Sequence, residues 1–89
     1  MELKGKAHFI GDTESVGANG FTKRLLVIET EETYPQKLPI EFVKEKAELL
    51  NNIRQGQEVT VSVNIRGNEY QDRNGITRFG LSFQGWKID

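Results

Sequence analysis

The chain has 89 residues, 36% hydrophobic and 28% charged, with a formal net charge of −1. This is a globular balance in a length that excludes multiple cores, which appear only above about 250 residues. The absence of cysteine excludes disulfides, thiolate nucleophiles and thiolate zinc sites, and the lone His8 cannot supply an imidazole cluster.

From Leu3 to Ile10 the residues alternate. Leu3, Ala7 and Phe9 fall on one parity, Lys4, Lys6 and His8 on the other, as in a half-buried first strand. Phe9, like Phe21 further on, is expected in the core. Residues 11–20 gather turn formers, with Asn19-Gly20 at their end, and read as one long loop. Phe21 to Thr30 is the second strand. Its continuous run Leu25-Leu26-Val27-Ile28 implies burial on both faces or a subunit seam. Lys37 to Phe42 is the third strand, an edge or bulged one because Pro39 has no amide donor.

The period then changes. Val43, Ala47, Leu50 and Ile53 form one stripe of a helix over residues 43–53, with Gly56 suited to stop the chain beyond it. The fourth strand turns Val59, Val61, Val63 and Ile65 one way, and Asn74-Gly75 marks a hairpin. Asp72 in that hairpin reads as a cap for turn amides rather than a catalytic acid. In the fifth strand Phe79, Leu81 and Phe83 share a parity that suggests the interior. Trp86 and Ile88 lie on the opposite parity, so a bulge is expected at Gly85.

This order predicts an all-β fold: a five-stranded Greek-key OB-fold barrel, one domain over residues 1–89, with one short helix between strands three and four. Closure removes the exposed edges that an open sheet of this size would carry.

The stretch Ile40-Glu41-Phe42-Val43-Lys44-Glu45-Lys46-Ala47-Glu48-Leu49-Leu50 resembles the strand-then-helix segment of bacterial single-stranded-DNA-binding proteins. Gln55-Gly56-Gln57-Glu58-Val59-Thr60-Val61 is similar to the entry to their fourth strand. Tyr70-Gln71-Asp72-Arg73-Asn74-Gly75-Ile76-Thr77-Arg78-Phe79 is similar to their aromatic hairpin. In length and layout the whole chain also resembles a family of small stand-alone bacterial OB-domain proteins of uncharacterised function. That likeness rests on Tyr34-Pro35-Gln36, Gly56, Glu69-Tyr70 and Trp86.

The resemblance implies binding of single-stranded nucleic acid, DNA rather than RNA, by ring stacking on bases and Lys/Arg contacts to phosphates. The stacking positions carry over to Tyr70 and to Phe42, whose parity with Leu38 and Ile40 favours the core instead. Gln36 stands about where the family has a tryptophan, and Tyr34 is positioned to substitute for it. The second strand likewise ends in Glu29 to Glu32 where a tryptophan would lie. Lys23, Arg24, Lys37, Arg66, Arg73 and Arg78 are the expected phosphate contacts. The groove would lie between the 11–20 loop and the 67–77 hairpin, with strands two and three as its floor. Lys4, Lys6 and Arg66 are expected to share a further patch.

The charges are uneven in a way that leaves room for a basic face. Residues 1–28 and 59–89 each carry four bases against three acids, and residues 29–58 carry four against seven. No apolar run approaches the ~20 residues of a membrane span, and Met1-Glu2-Leu3-Lys4 does not open a signal peptide. The expectation is a cytoplasmic, non-enzymatic domain with no cofactor, metal, small-molecule substrate or membrane partner. The alternative is a protein–protein or homo-oligomerisation module, a dimer or higher, joined through the Leu25–Ile28 run.

Overall fold

Residues 1–17 and 20–89 are described by the computed structural model of the chain. Asn19, read above as a turn former, lies outside the described residues. The elements are β1 (Glu2–Ile10), β2 (Glu14–Val16), β3 (Phe21–Glu29), β4 (Lys37–Val43), a 3₁₀ helix (Lys44–Asn52), β5 (Glu58–Gln71) and β6 (Thr77–Ile88).

The sheet order is β1-β5-β6-β4-β3-β2, and a further pairing of β1 with β3 closes it. The all-β barrel with one short helix before the penultimate strand is therefore the observed fold. Residues 11–20 are not all loop, since Glu14–Val16 folds back as β2 against Phe21–Lys23. Closure requires β1 to leave β5 and join β3 near Lys6, which lies opposite both Glu58 and Glu29. Gly5 sits at this crossing, where a β-carbon would collide with the Glu29 carbonyl.

Strand alternation builds the core. Ala7, Leu26, Ile28, Ile40, Phe42, Leu50, Val59, Val61 and Val63 pack together in the barrel. The Leu25–Ile28 run divides between faces: Leu26 and Ile28 are buried, Val27 is half-buried and Leu25 is exposed. Only half of that run is therefore core, and burial on both faces is not found. Pro39 pairs with Val27 of β3, while β4 meets β6 only at Ile40 and Glu41. Up to Pro39 the strand is thus an edge, which is where a residue lacking N–H is tolerated.

The helix forms as a 3₁₀ rather than an α-helix. Ala47, Leu50 and Ile53 are spaced by three, which lines them up at three residues per turn. Ala47 and Leu50 are buried and close one end of the barrel. Lys44 starts the helix with φ of 54°, an unusual left-handed conformation for a residue with a side chain.

Two bulges reset side-chain parity. In β1 the register passes from Ala7↔Ile28 to Phe9↔Val27, leaving His8 unpaired. Phe9 is consequently turned outward and is 51% exposed, against the core expectation. Phe21 is also only half-buried, with Lys44 Nζ 6.0 Å from its ring centre. In β6 the register passes from Ser62↔Lys87 to Val63↔Gly85, so the extra residue is Trp86, beside the glycine where a bulge was expected.

Beyond Val63 and Phe83 the β5–β6 pair outruns its neighbours. β1 reaches β5 only as far as Glu2↔Ser62, and β4 pairs with β6 only at Glu41↔Gln84 and Ile40↔Phe83. The paired residues from Ile65↔Phe83 to Gln71↔Thr77 therefore project as a two-stranded ribbon. Phe79 and Leu81 are 75% and 70% exposed there, which corrects the interior reading of their shared parity. No helix among the described residues is long and apolar enough to cross a membrane.

Candidate functional site

The outward surface of the sheet follows from strand register, because directly opposed residues share a face. On β3 and β4 the outward pairs are Lys23↔Val43, Leu25↔Glu41, Val27↔Pro39 and Glu29↔Lys37. Glu41 is level with Gln84 of β6, and Gln84 is paired with Asn64 of β5. The same face then continues up the ribbon through Arg66↔Ser82, Asn68↔Gly80 and Tyr70↔Arg78. Lys23, Lys37, Arg66, Tyr70 and Arg78, residues far apart in sequence, thus stand on one continuous face.

At the ribbon end this face has a defined construction. Gly80 is a glycine in mid-strand, and a β-carbon there would run into the Asn68 side chain and touch Cε1 of Tyr70 at 3.8 Å. The Asn68 side chain therefore lies over Gly80, and one edge of the Tyr70 ring reaches the space beside it. Tyr70 remains 50% exposed. A ring braced along one edge and open elsewhere is a platform on which a planar group can stack at small entropic cost.

The cations differ in how free they are. Arg78 Nε donates to Asp72 Oδ2 at 3.0 Å. Asp72 Oδ1 also accepts from the Asn74 and Ile76 amides at 2.9 and 3.0 Å. Asp72 is thus the turn cap expected, and it also holds the arginine. The Arg78 guanidinium, followed by the two amides, keeps the Asp72 carboxyl below its ordinary range. Lys37 lies 3.9 Å from Glu29, and Arg66 Nε donates to Gln84 Oε1 at 3.3 Å. Arg73 stands at the exposed hairpin tip. Lys23 is half-buried opposite Glu14, beside a recess also lined by Leu25 and Glu41.

Three expected site residues are elsewhere. Phe42 is completely buried, because its parity turns it into the barrel against Gly85, and it cannot stack on a base. Arg24 has the inward parity of Leu26. Its Nε donates to the Gly11 carbonyl and its Nη1 to Asn51 Oδ1, both at 2.7 Å. It ties the loop after β1 to the helix, so it is a brace rather than a phosphate contact. Tyr34 lies off the sheet face in the β3–β4 connection and is 81% exposed. Thr30 and Gln36 close that connection, the Gln36 amide donating to Thr30 Oγ1 at 2.8 Å.

Thr30, Glu31 and Glu32 of the same connection line a recess with Lys4, Gly5 and Glu58 by the start of β5, whereas Tyr70 stands at the far end of that strand. The patch expected of Lys4, Lys6 and Arg66 does not form. Lys4 is opposite Thr60, and Arg66 is six residues further along β5, roughly 20 Å away at strand rise. Asn68 and Gln84 belong to the face and were not anticipated. Their signal is the shared strand parity, Asn68 with Arg66 and Tyr70 and Gln84 with Arg78, legible once the hairpin register is known. Among the described residues, no group of three or more His, Cys, Asp or Glu side chains is arranged to hold a metal.

The fold is shared with solved structures. The mitochondrial single-stranded DNA binding protein Rim1 of S. cerevisiae superimposes with a TM-score of 0.75 at 18% identity, covering 100% of this chain and 90% of that one. The SSB domain of a Synechococcus sp. protein superimposes with a TM-score of 0.73 at 15% identity, covering 99% and 90%. No curated protein sequence matches. The family model described as a domain of unknown function, DUF3127, matches residues 2–89, and the chain belongs to that family.

Proposed function

We propose that this protein binds single-stranded nucleic acid, DNA in preference to RNA, without catalysis, on the outward face that runs from β3 and β4 onto the β5–β6 ribbon. The observation that carries this reading is the half-exposed Tyr70 ring, its edge beside Gly80, on the same face as Arg66, Arg78, Lys37 and Lys23. Bases stack on Tyr70, and the phosphates follow the cations. The fold likeness to two single-stranded-DNA-binding proteins supports the reading.

Glu14, Glu29 and Glu41 lie along the floor of the same face, and Asp72 and Glu29 each hold one of its cations. Binding is accordingly weaker than in a groove lined only by bases. The test is fluorescence anisotropy with a labelled dT oligomer of about 20 nucleotides at low and moderate salt. Binding at micromolar concentration that weakens with salt supports the reading, and no binding at low salt removes it.

A further inference from the structure

The ribbon has a second face, and its chemistry is opposite to the first. Ile65↔Phe83, Gly67↔Leu81, Glu69↔Phe79 and Gln71↔Thr77 point away from Tyr70 and continue the core-facing parity of Val61 and Val63. Phe83 still packs against the core, but beyond it no described residue covers Ile65, Leu81 or Phe79. Phe79 is 75% exposed, Leu81 70% and Ile65 51%. Among the described residues paired on this face the single charged one is Glu69, while Arg66 and Arg78 are on the other. A phosphate backbone therefore has no cation to meet here, and one acid repels it.

Gly67 adds a feature of shape. A β-carbon at this position would meet only the Gly80 carbonyl oxygen, at 3.8 Å. The backbone is thus bare at the centre of the face, directly opposite the protruding Leu81. We infer that the apolar face of the β5–β6 ribbon binds the same face of a second copy of this chain in a two-fold dimer. The Leu81 side chain of each copy would seat over Gly67 of the other. An isologous contact needs a patch that is its own complement, and a projecting leucine beside a bare glycine meets that need.

The area is consistent with a reversible dimer. Phe79, Leu81 and Ile65 expose on the order of 300–400 Å² per copy. With the polar rim of Glu69, Gln71 and Thr77, two copies approach the roughly 1,000 Å² at which specific interfaces begin. A two-stranded ribbon is also marginal by itself in water, so cover on one face would steady it. The Tyr70 face of each copy stays outside, and the dimer presents two such faces back to back.

Sedimentation equilibrium of the full chain, without nucleic acid and from about 1 to 500 μM, tests this directly. A monomer–dimer equilibrium is expected, weakened at least tenfold by Leu81→Asp and by Phe79→Ser. Gly67→Val separates folding from association, because its side chain has room in the monomer but occupies the seat of Leu81. It should retain the native thermal transition and lose the dimer. A monomer throughout the range overturns the inference, as does a dimer that survives Leu81→Asp or Gly67→Val, or association that continues past two copies. Binding of dT oligomers by the Tyr70 face is read in a separate titration, so either conclusion can fail alone.

Discussion

Gly85 of β6 lies so close to the ring of Phe42 on β4 that a β-carbon at position 85 would overlap ring carbons Cε1, Cε2 and Cζ. The only fully buried aromatic ring among the described residues thus owes its place to a residue without a side chain, one step before the Trp86 bulge. Gly85→Ala is expected to cost about 1–3 kcal/mol through overpacking. Phe42→Ala is expected to cost about 3–5 kcal/mol through the cavity it leaves. Urea denaturation measures both. Any oligonucleotide affinity should be unchanged per folded molecule, since neither residue reaches the surface.

Tyr70→Ala tests the stacking platform. Removal of one base–aromatic stack costs about 1–3 kcal/mol, so dT affinity should fall roughly 5- to 150-fold. The thermal transition should move little, because the ring is half outside the fold. Tyr34→Ala, tested by the same anisotropy titration, should have a smaller effect because Tyr34 sits off the sheet face. Equal affinity of wild type and Tyr70→Ala would take the ribbon out of the binding site.

Salt dependence reports how many cations are free to meet phosphates. Arg78 and Lys37 already face Asp72 and Glu29, leaving Arg73, Arg66 and Lys23 as the principal contributors. Each phosphate neutralised on a single strand adds about 0.7 to the slope of log K against log salt, so a slope near −2 is expected. Arg73→Ala should reduce its magnitude by about 0.7. A slope near zero would mean that any observed binding is not to the phosphate backbone.

Asp72 makes the hairpin tip sensitive to acid. Its carboxyl is held below the ordinary 3.8, first by Arg78 and then by the Ile76 and Asn74 amides. Because the folded form has the lower pKa, the contribution to stability is complete above the unfolded value. It is lost as the pH falls through the folded one. Amide exchange at Asn74 and Ile76 should therefore rise, beyond the intrinsic pH trend, only below about pH 4. In Asp72→Asn these amides should show no such acid transition.

Much of this architecture is legible in the residues themselves. Val59, Val61 and Val63, Leu38, Ile40 and Phe42, and Asn74-Gly75 report strand, face and turn through period and local backbone preference. Those local properties were enough to specify a closed barrel with a helical plug and a hairpin carrying Tyr70. Tertiary structure alone decided which faces are covered. Ile65, Phe79 and Leu81 have core parity yet lie in water, because β5 extends past the start of β1 and the pairing of β6 with β4 stops at Phe83. Phe9 turned outward because His8 bulges where β1 changes partners, and Arg24 turned inward because its register follows Leu26. Alternation dictates which side chains share a face. Whether that face meets a core, a partner or solvent depends on the length and register of neighbouring strands, which no local pattern encodes.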